Sequence, residues 1–473
     1  MGRGEITHDA ALRSVHESRP HDDPSLGEAT DVDVAIVGAG QAGLTVAAKL
    51  RHEGVDRVVL IDQAPEGLEG PWVTWARMRT LRSAKELHGP DAGHPAASFR
   101  RWYTAQHGEG GWEDLGLIPR EVWAEYLLWI RRVFGVTVRN NTEVVDVQPD
   151  GSQFVLHLRS GQEATRLTAK RLVICTGIDG IGGAWLPEFA AQLNPNLWRH
   201  TSGELPLESL AGARVGVLGI GASALDNAAT ALEAGAEVVQ FARRERLPTV
   251  NSVRSLETRA FFRHFDALPD ADRVEIGRRV LTLTVPPPQH SLDRCAEHEA
   301  FELRLGTPWA AVREEDGRAV VTLADGSEEV FDLLIFGTGF QVDLERVPWL
   351  STLRAGLATW ADRADLGEHP ADARLGKFPY LGRGMAGTAL TPDAEAWANN
   401  VHFLNHAAII SAGSAALGVN GLPISSDHLV DELCRSLFHE EAGRLTQAFY
   451  DTAVEPETAP ETEPEYEPEL ARS

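Results

Sequence analysis

The stretch IVGAGQAGL, Ile36 to Leu44, decides the fold, because what flanks its three glycines follows a single design. Upstream, DVDVAIV is a short run rich in Val and Ile, the composition of a buried parallel strand. Gly38, Gly40 and Gly43 then read GxGxxG. Downstream, LTVAAKLRHEG has helical spacing and stops at Gly54. A second strand, RVVLID, ends in Asp62, 22 residues after Gly40. In such a unit Gly38 makes the tight turn, Gly40 lets a pyrophosphate approach the backbone, and Gly43 lets helix and strand pack closely. Asp62 can bind a ribose 2′-hydroxyl and would repel a 2′-phosphate. A lone GxGxxG is often only a loop; here strand, helix and acid stand in order around it.

The design occurs a second time. ARVGVLG supplies a strand, and Gly219, Gly221 and Ala224 read GxGxxA. The helix LDNAATALEAG ends at Gly235, and the next strand, AEVVQFA, runs into Arg243-Arg244 where the first unit has an acid. Two guanidiniums suit a 2′-phosphate, so this turn is expected to prefer NADPH. The first turn selects a 2′-hydroxyl, as in the ADP half of FAD. One nucleotide then stays as a prosthetic group and the other delivers a hydride to it.

Two more hydrophobic strands run into Thr-Gly: RLVICTG (Thr176, Gly177) and DLLIFGTGF (Gly339, Phe340). Their order predicts an α/β chain with two nested Rossmann-like dinucleotide-binding domains. The expected layout is a disordered arm over 1–30 and a first FAD segment over 31–204. An NADPH domain with a helical insertion over 205–325, a second FAD segment over 326–450 and a disordered acidic tail over 451–473 follow. Such nesting sets two cofactors face to face across a cleft.

The bulk numbers agree. A chain of 473 residues with 43% hydrophobic content can bury a large core. Its net charge of −25 excludes a nucleic-acid partner, which needs a basic surface. Cys175, Cys295 and Cys434 form no CxxC, so neither a disulfide framework, a metal site nor a redox dithiol is expected. The longest apolar stretch, after His406, is broken by Gly, Ser, Asn and Pro, and reads as a buried segment and not a membrane span. A cytoplasmic protein with a small-molecule substrate and O2 as its partners is expected.

With these motifs in sequence, the chain resembles the class B flavin-dependent monooxygenases. That group holds flavin-containing monooxygenases, Baeyer–Villiger monooxygenases and amino-acid N-hydroxylases. The resemblance covers residues 31 to 450. EGPWVTW, with Trp72, looks like the family's Gly-Gly-x-Trp segment near the flavin, with Pro71 for the second glycine. What it implies is a cycle in which NADPH reduces FAD, O2 is captured as a C4a-hydroperoxyflavin, and the protein excludes water while placing the substrate. No catalytic residue of the protein is singled out on this reading.

Within the group, NPNLWRHTSGE keeps only His200 of the Baeyer–Villiger motif, and His200 is carried over as an NADPH-side residue. MRTLRSAKELHGPD approximates the N-hydroxylase pattern through Met78, Lys85, Glu86 and Leu87. The resemblance therefore favours N-hydroxylation of a small amine or amino acid over S-oxygenation or ketone oxidation. Three cations in the regions such enzymes use for substrate, Arg82, Lys85 and Arg294, suggest a dicarboxylate, with L-aspartate as the specific expectation and nitrosuccinate as a further oxidation product. A pyridine-nucleotide-dependent flavoprotein reductase is the alternative from the same architecture, and would require a redox CxxC. A non-catalytic flavoprotein is a third. His402 and His406 read as core or flavin-edge hydrogen-bonders.

Overall fold

The computed structural model describes residues 31–87, 89–283, 285–416 and 418–452. The expected N-terminal arm, and the acidic tail beyond Thr452, lie outside the described residues.

The first sheet is built on the GxGxxG strand. β1 (Val32–Val37) pairs in parallel with β2 (Val58–Ile61) and with the end of β6 (Glu163–Ile174). β3 (Val138–Arg139) extends the sheet beyond β2, and β4 (Glu143–Asp150) and β5 (Gln153–Ser160) form an antiparallel meander with the start of β6. β6 thus belongs to two environments, and its sequence shows it: four exposed residues lead, and the last six are buried. β15 (Val401–Phe403) covers the far side of β6, with His402 opposite Val173.

Helix α1 (Gln41–His52) follows the turn and buries eight consecutive residues, Gly43 to Leu50. Helices α2 (Phe99–Asp114) and α3 (Arg120–Val133) lie behind it. Their rings form one cluster, with Phe99 5.5 Å from Trp123 and 5.3 Å from Tyr126 between centroids. Trp72 meets that cluster edge-on at 6.3 Å from Trp123. Each such pair adds about 0.5–1.5 kcal/mol to plain area burial, so the floor under Trp72 is stiff.

The second sheet is wholly parallel, in the order β10–β9–β8–β14–β7. Its strands are β7 (Trp198–His200), β8 (Arg214–Leu218), β9 (Glu237–Phe241), β10 (Phe301–Arg304) and β14 (Leu333–Phe336), with helix α4 (Ala222–Glu233) after the GxGxxA turn. A three-stranded antiparallel sheet, β11 (Trp309–Glu315), β12 (Arg318–Leu323) and β13 (Glu328–Phe331), shares a core with it through Phe241, Trp309, Phe331 and Phe336.

This pairing corrects two expected boundaries. DLLIF was expected to return the chain to the first domain near Leu333, with the second segment starting at 326. Instead β14 sits between β8 and β7, with Leu333 opposite Val215 and Leu334 opposite Trp198. The second unit therefore takes in β7, before residue 205, and runs to Phe336. A fully buried four-residue strand carries no mark of which sheet it joins; only its partners decide.

The helical insertion is also shared. Helix α5 (Asp270–Thr282) packs on the first unit: Arg278 grips Asp372 through Nε and Nη2 at 2.7 and 2.9 Å. Helix α6 (Gln289–Ala296) packs instead on α4. The closing helix α7 (Leu422–Thr452) runs along α1, with Lys49 donating to the Pro423 carbonyl at 2.8 Å. Among the described residues no helix is long and apolar enough to cross a membrane.

Candidate functional site

At the first turn, Gly38 takes φ +101, and a Cβ there would stand 2.5 Å from the Cys175 carbonyl oxygen. A Cβ on Gly43 would meet the Gly38 carbonyl at 2.0 Å. Gly40 differs: its nearest neighbour would be 3.9 Å away, so the protein itself leaves that face open. Asp62 follows β2 and accepts two backbone N–H bonds, from Ala39 and Ala64, both 2.8 Å. It braces the turn as well as facing the groove beyond it.

That groove is a cavity of about 730 Å³ along the carboxyl edge of the first sheet. Asp62, Thr142 and Trp349 line it, as do Gly38, Gly40 and Gln41. Trp72, Trp75, Arg82 and His406 also line it, with Thr176, Gly177 and Asp179 just past the end of β6. The sequence-predicted residues Gly38, Gly40, Asp62, Trp72, Thr176 and Gly177 are thus brought to one space. Gly339 does not line it. Its carbonyl instead accepts from the Trp185 N–H at 2.9 Å and meets His200 Nε2 at 3.0 Å, in the second unit.

Asp179 was not singled out from sequence. It follows Thr176-Gly177 by two residues and is bonded by Trp75; desolvation lifts its carboxyl above the ordinary range, with the Asp62 charge adding to that. Its only sequence signal is an acid just past a strand-end glycine. The two histidines of VHFLNHAAII separate cleanly. His402 is fully buried, Nδ1 against the Gly384 carbonyl at 2.9 Å, and away from the cavity. His406 faces the cavity, and burial lowers its imidazole to about 4.

The second turn repeats the local geometry. Gly219 has φ +119, and a Cβ there would lie 2.3 Å from the Gly337 carbonyl. Gly337 in turn packs on Ala224, where its own Cβ would be 2.4 Å from that of Ala224, so the GxGxxA alanine fills the seat of the third glycine. Gln240, fully buried, donates to the Gly219 carbonyl at 2.8 Å. Gly221 faces open space. Arg243 and Arg244 are exposed just past β9, and neither side chain is engaged in an ion pair among the described residues.

The units meet through aromatic rings. Trp75 contacts Phe340 at 5.8 Å, and Phe340 contacts His200 at 5.1 Å. Burial lowers the His200 pKa, and Nδ1 lies 2.8 Å from Ser202 Oγ.

Two of the three expected substrate cations are spent elsewhere. Lys85 donates to the Trp112 and Leu115 carbonyls at 2.6 and 2.5 Å, closing the end of α2, and lies 5.0 Å over the Trp112 ring. Arg294 is buried; it binds Asp226 at 3.2 Å, Glu233 at 3.1 Å and the Arg77 carbonyl at 3.2 Å. It ties α4 and α6 to the loop after Trp75. Only Arg82 reaches the cavity. Both corrections have one cause: a long cation near a helix end or a buried acid is captured by whatever tertiary contact lies within its reach. Among the described residues no group of His, Cys, Asp and Glu could hold a metal ion.

Known proteins share this architecture. The family model for pyridine nucleotide-disulphide oxidoreductases matches residues 32–361. A FAD-dependent urate hydroxylase of Xanthomonas campestris pv. campestris is 39% identical over 449 residues, 93% of this chain and 94% of that protein. Among solved structures, the ornithine hydroxylase of Pseudomonas aeruginosa superposes with a TM-score of 0.69 at 17% identity, covering 86% of this chain and 99% of that one. The ornithine N-hydroxylase of Kutzneria sp. 744 gives 0.67 at 15% identity, over 86% and 99%.

Proposed function

We propose that this chain, which belongs to the pyridine nucleotide-disulphide oxidoreductase family, is an FAD- and NADPH-dependent monooxygenase that hydroxylates a small planar anion of the urate type. The observation that carries it is the cavity: a dinucleotide turn with an open face at Gly40, continuous with a space holding Trp72, Trp75 and Arg82. The family's disulphide chemistry does not transfer, because no CxxC is present.

The residues fit FAD. Gly38 to Gln41 would receive the pyrophosphate at the head of α1, and Asp62 the adenosine ribose, with Trp349 among the residues that would line the adenine end. FAD bound there and reduced by NADPH supplies one atom of O2 to the substrate, the other leaving as water. The protein's part is to orient and to keep the site dry. Trp72, on its aromatic floor, fixes one wall, and Trp75 is held by Asp179 and Phe340. NADPH would be held at Gly219 to Ala224, with Arg243 and Arg244 for its 2′-phosphate.

The substrate class follows from the cations that remain. A dicarboxylate such as L-aspartate asks for two, and Lys85 and Arg294 are engaged with the protein. Arg82, the one of the three that lines the cavity, suits a monoanion, which a planar Arg can meet through two parallel N–H bonds. Urate carries one negative charge near neutral pH, and the similar Xanthomonas protein is described as acting on it.

The test is a panel of urate, L-aspartate, L-ornithine and a simple ketone, scoring NADPH use, peroxide and oxygenated product separately. Coupled product from urate, with KM raised about tenfold in Arg82→Met, is expected. Peroxide alone from urate, with coupled turnover of an amine, overturns the substrate and restores N-hydroxylation.

A further inference from the structure

We propose that His406 is a cofactor-contacting residue: a neutral imidazole that hydrogen-bonds the flavin half of FAD, between ribityl chain and ring. The inference rests on the FAD reading above.

Position comes first. Strand order at the carboxyl edge runs β2, β1, β6, β15. Asp62 follows β2, the glycine turn follows β1, Thr176 lies two residues past β6, and His406 lies three residues past β15. Neighbouring strands are about 4.8 Å apart, so roughly 14 Å separates the β2 end from the β15 end. With the ribose at Asp62 and the pyrophosphate at Gly38 to Gln41, an extended FAD must continue past Thr176 toward His406. Adenosine lies behind the turn and the flavin half ahead of it.

Availability comes second. His406 lines the cavity, and its ring nitrogens make no hydrogen bond among the described residues. Its neighbours are all committed. Asn405 donates to the Ile174 carbonyl at 3.1 Å and accepts from the Ala407 N–H at 2.9 Å. The Leu404 N–H is bonded to the same Ile174 carbonyl at 3.0 Å. The backbone on either side is therefore fixed, and the imidazole alone is left to meet what fills the space. A half-buried imidazole that faces the cavity without a protein partner is placed to bond a ligand there.

Chemistry comes third. Burial favours the neutral form of His406. A neutral ring offers one donor and one acceptor. The ribityl hydroxyls and the carbonyls and N–H of the flavin pyrimidine can match both, whereas a phosphate needs donors only.

The experiment uses the full chain stripped of FAD and reconstituted. His406→Leu removes donor and acceptor; His406→Asn keeps one of each. The leucine variant is expected to raise the FAD Kd about tenfold, and to move the flavin absorption bands and midpoint potential; asparagine should recover at least half of the lost affinity on a logarithmic scale. Leucine with a Kd within about twofold of wild type and an unchanged spectrum overturns the proposal. Should the leucine variant misfold, 15N-histidine-labelled wild type decides. FAD must shift one imidazole pair that is missing in His406→Asn, and no such shift also overturns it. A wild type that binds no FAD at all instead defeats the FAD reading itself.

Discussion

The two glycine turns are nearly the same object locally and differ in what surrounds them. In both, the first glycine lies in the left-handed region beneath a carbonyl from a neighbouring strand end, Cys175 in one and Gly337 in the other. In both, a polar side chain braces the loop, Asp62 through the Ala39 N–H and Gln240 through the Gly219 carbonyl. The first turn, however, sits in the wall of a cavity of about 730 Å³, which Trp72, Trp349 and His406 also line. The second contributes nothing to that cavity's lining and ends beside two exposed arginines. A turn set in the wall of a large cavity suits a nucleotide that stays, and an exposed one suits a nucleotide that arrives, delivers a hydride and leaves.

Paired substitution is the hardest way to break this contrast. In Gly38→Ala the new methyl cannot avoid the Cys175 carbonyl and takes a strained φ, so the protein should purify without flavin. In Gly219→Ala the same clash falls on Gly337, so the protein should keep its flavin, remain yellow, and lose NADPH oxidation. Flavin absorbance and stopped-flow reduction separate the two. Loss of flavin in both variants would mean that the turns are not independent sites.

Arg294 sharpens the contrast next, because it ties the second turn's helix to the first unit. Arg294→Met leaves the buried Asp226 without its ion-pair partner, while Glu233 keeps Arg79 at 2.7 Å, and burial already lifts the Asp226 carboxyl above its ordinary range. We expect a loss of about 3 kcal/mol in urea unfolding. A variant of wild-type stability, with only the substrate KM raised, would return Arg294 to the substrate site.

The smallest effect is at the exposed end. A charge-assisted bond to phosphate is worth roughly 1.5–3 kcal/mol, so Arg243→Ala or Arg244→Ala should raise the NADPH KM about tenfold. The NADH KM should barely move. Equal loss for both coenzymes would remove the 2′-phosphate assignment.

Both turns were legible in the sequence because their requirements are local. A left-handed glycine, a close helix–strand contact and an acid at a strand end lie within a few dozen residues of one another, and steric limits on the backbone make the residue types nearly obligatory. The seat of Ala224 against Gly337 shows the limit of such reading: GxGxxA was read from the pattern, but the partner glycine lies over a hundred residues away. The motif at Trp72 is readable in the sequence, and that side chain lines the cavity. Asp179 and Trp349 were missed because an isolated acid or tryptophan is uninformative until the chain folds back on it.

What the sequence determined by itself was two dinucleotide folds, the order in which they occur, and the difference in charge at their second strands. Only the tertiary structure decided that Leu333 to Phe336 joins the second sheet, that Lys85 closes a helix and Arg294 clamps two units, and that His406 but not His402 faces the cavity. The reason is range. Backbone sterics act between neighbours in sequence, whereas a cation or an imidazole takes its role from whatever acid, carbonyl or empty space the packed chain sets within about 3 Å of it.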